Sequence, residues 1–281
     1  MSGEPSEIFA PGVLDGRVAV ITGGGTGLGR AAAIELVACG ASVVIAGRRL
    51  EVLEETAAAI GPACSVVAGD IRDAADAARI VATAIERHGR IDLLVNNAGG
   101  QYFVPAEAIA QKGWNAVWRL NVGGTLTMTR AAVDGAMRAA GSGLVVNITL
   151  SPHHGLAGMT HSSAARAAVE GMTRSLAAEL GPDGIAVVAV AAGHFETDAI
   201  RKYPAPVREN AARTVPLQRL GEEREHGWLI GLLATPLGRA FNGSVITLDG
   251  ARDNWFGPWP PPEVRDDRGE VPTEERARRG S

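Results

Sequence analysis

The stretch that decides the fold is Arg17-Val18-Ala19-Val20-Ile21-Thr22-Gly23-Gly24-Gly25-Thr26-Gly27-Leu28-Gly29. Its first half is apolar and largely β-branched, the composition of a strand buried on both faces. Its second half breaks into glycine and then enters an Ala-rich helical pattern over 28–38. A strand, a glycine-rich turn and a helix in that order form a phosphate-binding unit. Gly23 permits the tight turn, Gly27 lets backbone approach a pyrophosphate, and Gly29 lets the helix pack close to the strand. The helix start at Thr26, Gly27 and Leu28 then offers N–H donors and a positive dipole end to phosphate oxygens.

Outward from this unit, short apolar runs alternate with helical stretches. Strands are expected at 17–22, 42–46, 64–68, 91–96, 144–149, 185–190 and 244–248, and helices at 28–38, 73–87, 113–139, 162–180 and 222–233. Strands without polar alternation, separated by helices, predict an α/β fold: a doubly wound, Rossmann-type sheet of seven parallel strands with helices on both faces. One domain is expected over 1–260. Residues 194–220 lack strand character and contain Tyr203, Pro204 and Pro206, which reads as a lid insert. Trp255, Phe256 and Trp259 are expected to pack on a surface, and the charged, Gly/Pro-rich stretch 261–281 to be disordered.

Composition removes several function classes. The 281 residues carry a net charge of −4, with 21% charged and 46% apolar residues. That is no footprint for nucleic acid or an anionic membrane. No apolar run is long enough to span a bilayer, and no secretory leader pattern opens the chain. Two cysteines, Cys39 and Cys64, are too few for a disulfide framework, so a cytoplasmic protein is expected. Tyrosine occurs only at 102 and 203, and lysine only at 112 and 202, among 27 basic residues.

The second strand runs into Gly47-Arg48-Arg49, with no acid before Glu51. A carboxylate here would take the ribose hydroxyls of NAD; arginine instead pairs with a 2′-phosphate, so Arg48 and Arg49 point to NADP(H). The third strand ends in Gly69-Asp70-Ile71 and the fourth in Asn96-Asn97-Ala98-Gly99-Gly100. Both ends are expected on the carboxyl edge of the sheet, where ligands bind.

Together with Asn121 and Gly193-His194-Phe195-Glu196-Thr197, these residues resemble the short-chain dehydrogenase/reductase family over roughly residues 12 to 250. The resemblance implies a homotetramer (or dimer). It also implies adenine contact by Asp70, ribose contact by Asn97, Ala98 and Gly99, and nicotinamide contact by Thr197. The family's catalytic set is Asn, Ser, Tyr and Lys, the last two as Tyr-x-x-x-Lys. Asn121 fills the Asn position and Ser151 follows the fifth strand. The Tyr and Lys positions hold Ser162 and Arg166, and neither tyrosine in the chain has a lysine four residues later. The tetrad is absent, not displaced.

A narrower resemblance fits this departure. Phe9-Ala10-Pro11-Gly12, Gly99-Gly100-Gln101-Tyr102, Lys112-Gly113-Trp114, His161-Ser162 and Asp253-Asn254-Trp255 look like the trans-2-enoyl-CoA reductase branch, whose relatives include dienoyl-CoA reductases. The implied activity is NADPH-dependent reduction of the C=C bond of a 2-enoyl thioester, on CoA or a carrier protein. Chemistry leans the same way. Carbonyl reduction needs an acid near an alkoxide, which tyrosine supplies, whereas serine is far weaker and arginine does not deprotonate. Enoyl reduction needs donors for an enolate oxygen, a role open to Ser162 and a neighbour. Arg166 would bind the nicotinamide ribose and keep a positive charge there.

Ser151 is a second donor candidate, and His161 a candidate proton source. Tyr102, His154 and His194 are candidates for the substrate side, and no metal site is expected. Two other readings remain open. One is an atypical family member acting on a ketone or imine in a biosynthetic pathway. The other is a catalytically silent NADP(H)-binding protein.

Overall fold

The computed structural model describes residues 5–198, 200 and 211–254. Seven strands form one sheet: β1 (Val18–Thr22), β2 (Ser42–Gly47), β3 (Cys64–Ala68), β4 (Leu93–Asn96), β5 (Gly143–Leu150), β6 (Ile185–Ala192) and β7 (Val245–Leu248). All pairings are parallel and the order is β3-β2-β1-β4-β5-β6-β7. The expected Rossmann-type α/β sheet is therefore present. The order reverses between β1 and β4, and that reversal opens a crevice at the carboxyl ends of the strands.

Side-chain alternation divides the core into two layers. Ile21, Ile45, Val95, Val146 and Val188 face α1 (Gly27–Ala38) and α8 (Glu223–Ala234), meeting Leu36, Ile230 and Leu233. Val20, Val44, Leu94, Val145 and Val187 face the other way, toward α3 (Ala74–His88), α5 (Thr125–Ala132) and α7 (Thr160–Leu180). Both faces being covered explains why the strands show no polar alternation.

Two features differ from the sequence expectation. The helix expected at 113–139 begins at Gln111 as α4 (Gln111–Trp118). It then passes through π-helical turns at Arg119–Gly124 and Val133–Met137 and ends as the short α6 (Arg138–Ala140). Each widened turn carries a tightly packed glycine. A Cβ on Gly124 would come within 2.6 Å of Ile71, and one on Gly135 within 2.8 Å of Val81. The second difference is α2 (Leu50–Ile60), which the periodicity reading does not name. It buries Leu53, Thr56 and Ile60 beneath a glutamate-rich face.

A buried polar chain crosses the second layer. Asn96 and Asn147 pair in register on β4 and β5. Asn96 Nδ2 donates to Asn147 Oδ1 at 2.9 Å and to Thr129 Oγ1 at 3.0 Å, and Asn147 Nδ2 donates to Thr173 Oγ1 at 2.9 Å. This chain binds the two central strands to α5 and α7 just below the crevice.

The expected lid is described only at its two ends, where Phe195 bridges to Gly221 and a short 3₁₀ turn spans Ala212–Thr214. Lys202, Tyr203, Trp255, Phe256, Trp259 and the expected tail 261–281 lie outside the described residues. Among the described residues, no helix is long and apolar enough to cross a membrane.

Replacing Asn147 by valine keeps the strand shape but leaves Asn96 and Thr173 short of a partner. A loss of about 1–3 kcal/mol in urea unfolding is expected, the cost of a buried unsatisfied group. An unchanged midpoint would show that the chain of amides holds nothing.

Candidate functional site

The crevice is a cleft of about 830 Å³, within the range of ligand sites. One end is built by the ends of β1, β2 and β3, the other by the ends of β4, β5 and β6.

The glycine turn is held from the opposite strand. Thr22 Oγ1 accepts the backbone N–H groups of Asn97 and Ala98 at 3.1 and 3.0 Å. Asn97 Nδ2 donates to the carbonyls of Thr22 and Gly23 at 3.0 and 3.2 Å. A Cβ on Gly29 would overlap both Asn97 Nδ2 and the Gly23 carbonyl, and Gly23 itself has φ +66°. Gly29 is buried and does not line the cleft; Gly23, Thr26, Gly27 and Leu28 do. Gly27 has φ +54°, and a Cβ there would meet only Thr197 at 3.8 Å, so the open space above it belongs to the cleft.

The start of α1 is uncapped, as are those of α4 and α7 and in contrast to α3 and α8. Asp73 caps α3 by accepting two backbone N–H groups, and Glu222 and Glu225 form a capping box on α8. Helix α1 has no side-chain cap and no acid in its first turn. Its first N–H groups therefore face the cleft as donors for an anion.

Arg48, Arg49, Asp70 and Ile71 line the β2–β3 end. The Asp70 carboxylate is taken by Arg72, with Nε at 2.9 and 3.0 Å from its two oxygens and Nη2 also bonded. The Arg72 hydrogen bond, with the nearby charge of Arg48, holds this carboxyl at about 2.

At the other end, Arg166 is 9% exposed and lines the cleft. Its Nη1 donates to the Ile148 carbonyl at 2.7 Å. A Cβ on Gly99 would collide with its Nη2, so the guanidinium packs directly against the β4 loop. Asn121, in the first π turn, is wholly buried. Its Nδ2 donates to the carbonyls of Gly100 and Val117 at 2.9 and 2.8 Å, and its Oδ1 accepts Gly100 N–H at 3.3 Å. Asn121 thus ties the helix bend to the loop carrying Gly99 and Gly100. Ser162 is also wholly buried, and its hydroxyl donates to Gln101 Oε1 at 2.7 Å. Gln101 lines the cleft and Ser162 does not. In the sequence, nothing around Gln101 marks it as the residue that Ser162 holds.

Ala98, Gly99, Gly193, His194 and Thr197 also line the cleft. A Cβ on Gly193 would come within 2.5 Å of Asp249. His194 Nδ1 has no hydrogen-bond partner among the described residues. Burial, with the charge of Arg252 as a smaller cause, pushes its imidazole down to about 4.

The remaining candidates lie away from the cleft wall. The Ser151 hydroxyl is bonded to Asp249 Oδ2, and His154 Nδ1 lies 3.5 Å from Asp253. His161 is buried against the Tyr102 ring, centroid to centroid 4.4 Å, with both nitrogens unpartnered among the described residues. Desolvation lowers its pKa. Among the described residues, no tyrosine or lysine lines the cleft, and no three His, Cys, Asp or Glu side chains gather as metal ligands.

Comparison with known proteins assigns the class. Residues 17–207 match the short chain dehydrogenase family. A probable 2,4-dienoyl-CoA reductase of Bacillus subtilis (strain 168) is 34% identical over 255 residues, covering 88% of this chain and 100% of the relative. A peroxisomal 2,4-dienoyl-CoA reductase of Pongo abelii is also 34% identical, over 86% of each chain. Among solved structures, a citronellol catabolism dehydrogenase of Pseudomonas aeruginosa PAO1 superposes with a TM-score of 0.79 at 38% identity, covering 90% of this chain and 100% of that one. The protein belongs to the short-chain dehydrogenase family and is an oxidoreductase. Membership implies a nicotinamide dinucleotide, which the uncapped α1 start, the open space at Gly27 and the basic β2–β3 end fit.

Two buried imidazoles make acid stability a readout of this architecture. His194 and the fully buried His226 both sit near 4, lowered by desolvation. The unfolded chain takes up protons near the ordinary value of 6.5, the folded chain only near 4, so stability falls as pH drops through that window. The Asp70 contribution is present above the ordinary carboxylate range and is lost only at lower pH. Urea midpoints are expected to decline between pH 6.5 and 4.5, with His194→Gln removing about one proton from the slope. A flat profile would contradict the placement of both rings.

Proposed function

We propose that the protein is an NADPH-dependent reductase of the C=C bond of a 2-enoyl thioester carried on CoA or a carrier protein. The observation that carries this reading is the makeup of the β4–β6 end of the cleft. A permanent cation, Arg166, and the neutral amide of Gln101, held from behind by the Ser162 hydroxyl, stand there with no tyrosine or lysine among the described lining residues. Two curated relatives named as dienoyl-CoA reductases support the thioester class.

Bound in the cleft, the reduced nicotinamide supplies a hydride. The amides at Thr26, Gly27 and Leu28 bind its pyrophosphate, and Arg48 and Arg49 the 2′-phosphate, for which their forked donors suit better than a carboxylate would. Asn97, Ala98 and Gly99 border the adenosine side, and Thr197 the carboxamide. Arg166 holds the nicotinamide ribose hydroxyls and fixes a positive charge under the reacting atoms.

The substrate presents an alkene conjugated to a thioester carbonyl. Attack at Cβ moves negative charge onto the thioester oxygen. With Ser162 donating to Gln101 Oε1, the Gln101 amide is held in a fixed orientation at the cleft wall, and it is the group we assign to that oxygen. Ser162 therefore acts through Gln101 or joins it after a small rotation. No strong acid is needed at the oxygen, because the proton is delivered to Cα from water; His161, buried away from the cleft wall, is not placed to supply it. A ketone would form an alkoxide at that oxygen and would require a tyrosine-like acid, which the described lining residues do not include. The working form we propose is a cytoplasmic homotetramer (or dimer), as the family resemblance implies.

Incubation of the enzyme with NADPH and trans-2-enoyl thioesters of graded chain length is expected to oxidise the cofactor and yield the saturated acyl thioester. Ser162→Ala and Gln101→Ala should lower kcat about 100-fold, the usual loss of an oxyanion donor, with NADPH still bound. Arg48→Ala should weaken NADPH about tenfold or more while leaving NADH nearly unchanged. Tight NADPH binding without turnover of any enoyl thioester, ketone or imine would instead identify a silent cofactor-binding protein.

A further inference from the structure

Behind the cleft lies a second cluster of titratable groups that the reaction above does not use. His153 sits in the loop leaving β5. Its Nε2 lies 3.0 Å from Glu170 Oε1 on α7, its Nδ1 is bonded to Asp253 Oδ2, and its backbone N–H donates to Asp253 Oδ1 at 2.5 Å. Glu170 Oε1 also accepts the Thr149 hydroxyl at 2.9 Å. Asp253 N–H donates to Asp249 Oδ2 at 2.7 Å, and the same oxygen accepts the Ser151 hydroxyl. The contacts run through Thr149, Glu170, His153, Asp253, Asp249 and Ser151, and the backbone of 149–151 closes them into a ring.

That ring encloses the end of β5. Leu150, between Thr149 and Ser151, lines the cleft, as does Leu156 in the same loop. Glu170 lies one helical turn beyond Arg166 on α7. The ring therefore fixes three elements against one another at the back of the β5–β6 end: the strand end, the helix carrying Ser162 and Arg166, and the chain after β7.

A neutral imidazole has one donor nitrogen and one acceptor; only the imidazolium donates from both. Both ring nitrogens here face carboxylate oxygens, so the ring closes fully only when His153 carries its second proton. Glu170 is 5% exposed and lies among buried groups, where a carboxylate needs a cation. The other charged groups around it are His154, 3.5 Å from Asp253, Asp249 beneath Asp253, and Arg174, which borders the same 450 Å³ cavity as His153 and Glu170.

We propose that His153, as an imidazolium clamped between Glu170 and Asp253, is a positioning residue that sets the β5–α7 loop against the acyl side of the cleft. Its kinetic arm rests on the reductase reading above. Burial alone would lower the imidazole pKa; hydrogen bonds and charge from Asp253 and Glu170 outweigh it, and the net shift is upward. The clamp is thus complete below the ordinary histidine value and is lost as pH rises through the raised one.

The test uses the full-length enzyme. Ring NMR of wild type is expected to show His153 titrating above the ordinary value. Above that pH, hydrogen exchange in 150–158, corrected for its intrinsic pH dependence, should rise about tenfold. KM for the enoyl thioester should rise by a similar factor with kcat and NADPH affinity little changed. His153→Gln should show fast exchange and high KM at every pH. His153→Arg, a permanent cation with a fork for both carboxylates, should restore slow exchange and low KM at high pH. An ordinary or lowered ring pKa, or exchange in 150–158 that ignores the titration, overturns the clamp. Absence of thioester turnover overturns the reductase reading and leaves the exchange arm to decide the clamp.

Discussion

The site depends first on one side chain reaching across the sheet reversal. Asn97 leaves the end of β4 and donates its amide to the carbonyls of Thr22 and Gly23 at the end of β1. It fits because Gly23 and Gly29 carry no Cβ where the amide and the turn meet. These contacts hold the glycine turn in its left-handed geometry, aim the start of α1 into the crevice and set the distance between β1 and β4. An uncapped helix end would be a liability in a closed core. Here it opens into a cleft wide enough for a dinucleotide, and the missing cap becomes a binding surface.

The other half of the cleft repeats the device with a charge. Gly99 lacks a Cβ where Arg166 lies, and Asn121 ties the neighbouring Gly100 to the π turn. The guanidinium is held by the Ile148 carbonyl and stays ionised at any working pH. This rigid cation can stabilise developing negative charge and cannot supply a proton. Ser162, one helical turn before it on α7, donates to Gln101 at the cleft wall. The chemistry that asks for charge stabilisation and no strong acid is addition of hydride to a conjugated alkene.

Most of the fold was legible from residues 17–29 outward, because apolar strands and glycine turns are local signals. All seven strands lie close to their expected ranges. What escaped was set by contacts distant in sequence. The π turns arise where Gly124 and Gly135 meet Ile71 and Val81, and α2 hides its three buried residues among glutamates. The cofactor half of the cleft was legible because its motif is contiguous. The reacting half was legible only as identities: Ser162 and Arg166 could be aligned, but that Ser162 donates to Gln101 cannot be read over 61 residues of separation. Ser151, at the family's Ser position after β5, and His154, in the loop beyond it, are turned by tertiary contacts toward Asp249 and Asp253. The same contacts build the His153 ring, which no local pattern announces.

We propose that this cleft reduces an alkene and not a carbonyl. The most direct test is one turnover with NADPH deuterated at the transferring position of the nicotinamide, the product then examined by NMR. The account predicts deuterium at the β carbon of a saturated acyl thioester and a solvent proton at the α carbon. Deuterium on a carbon bearing a new hydroxyl group would contradict it.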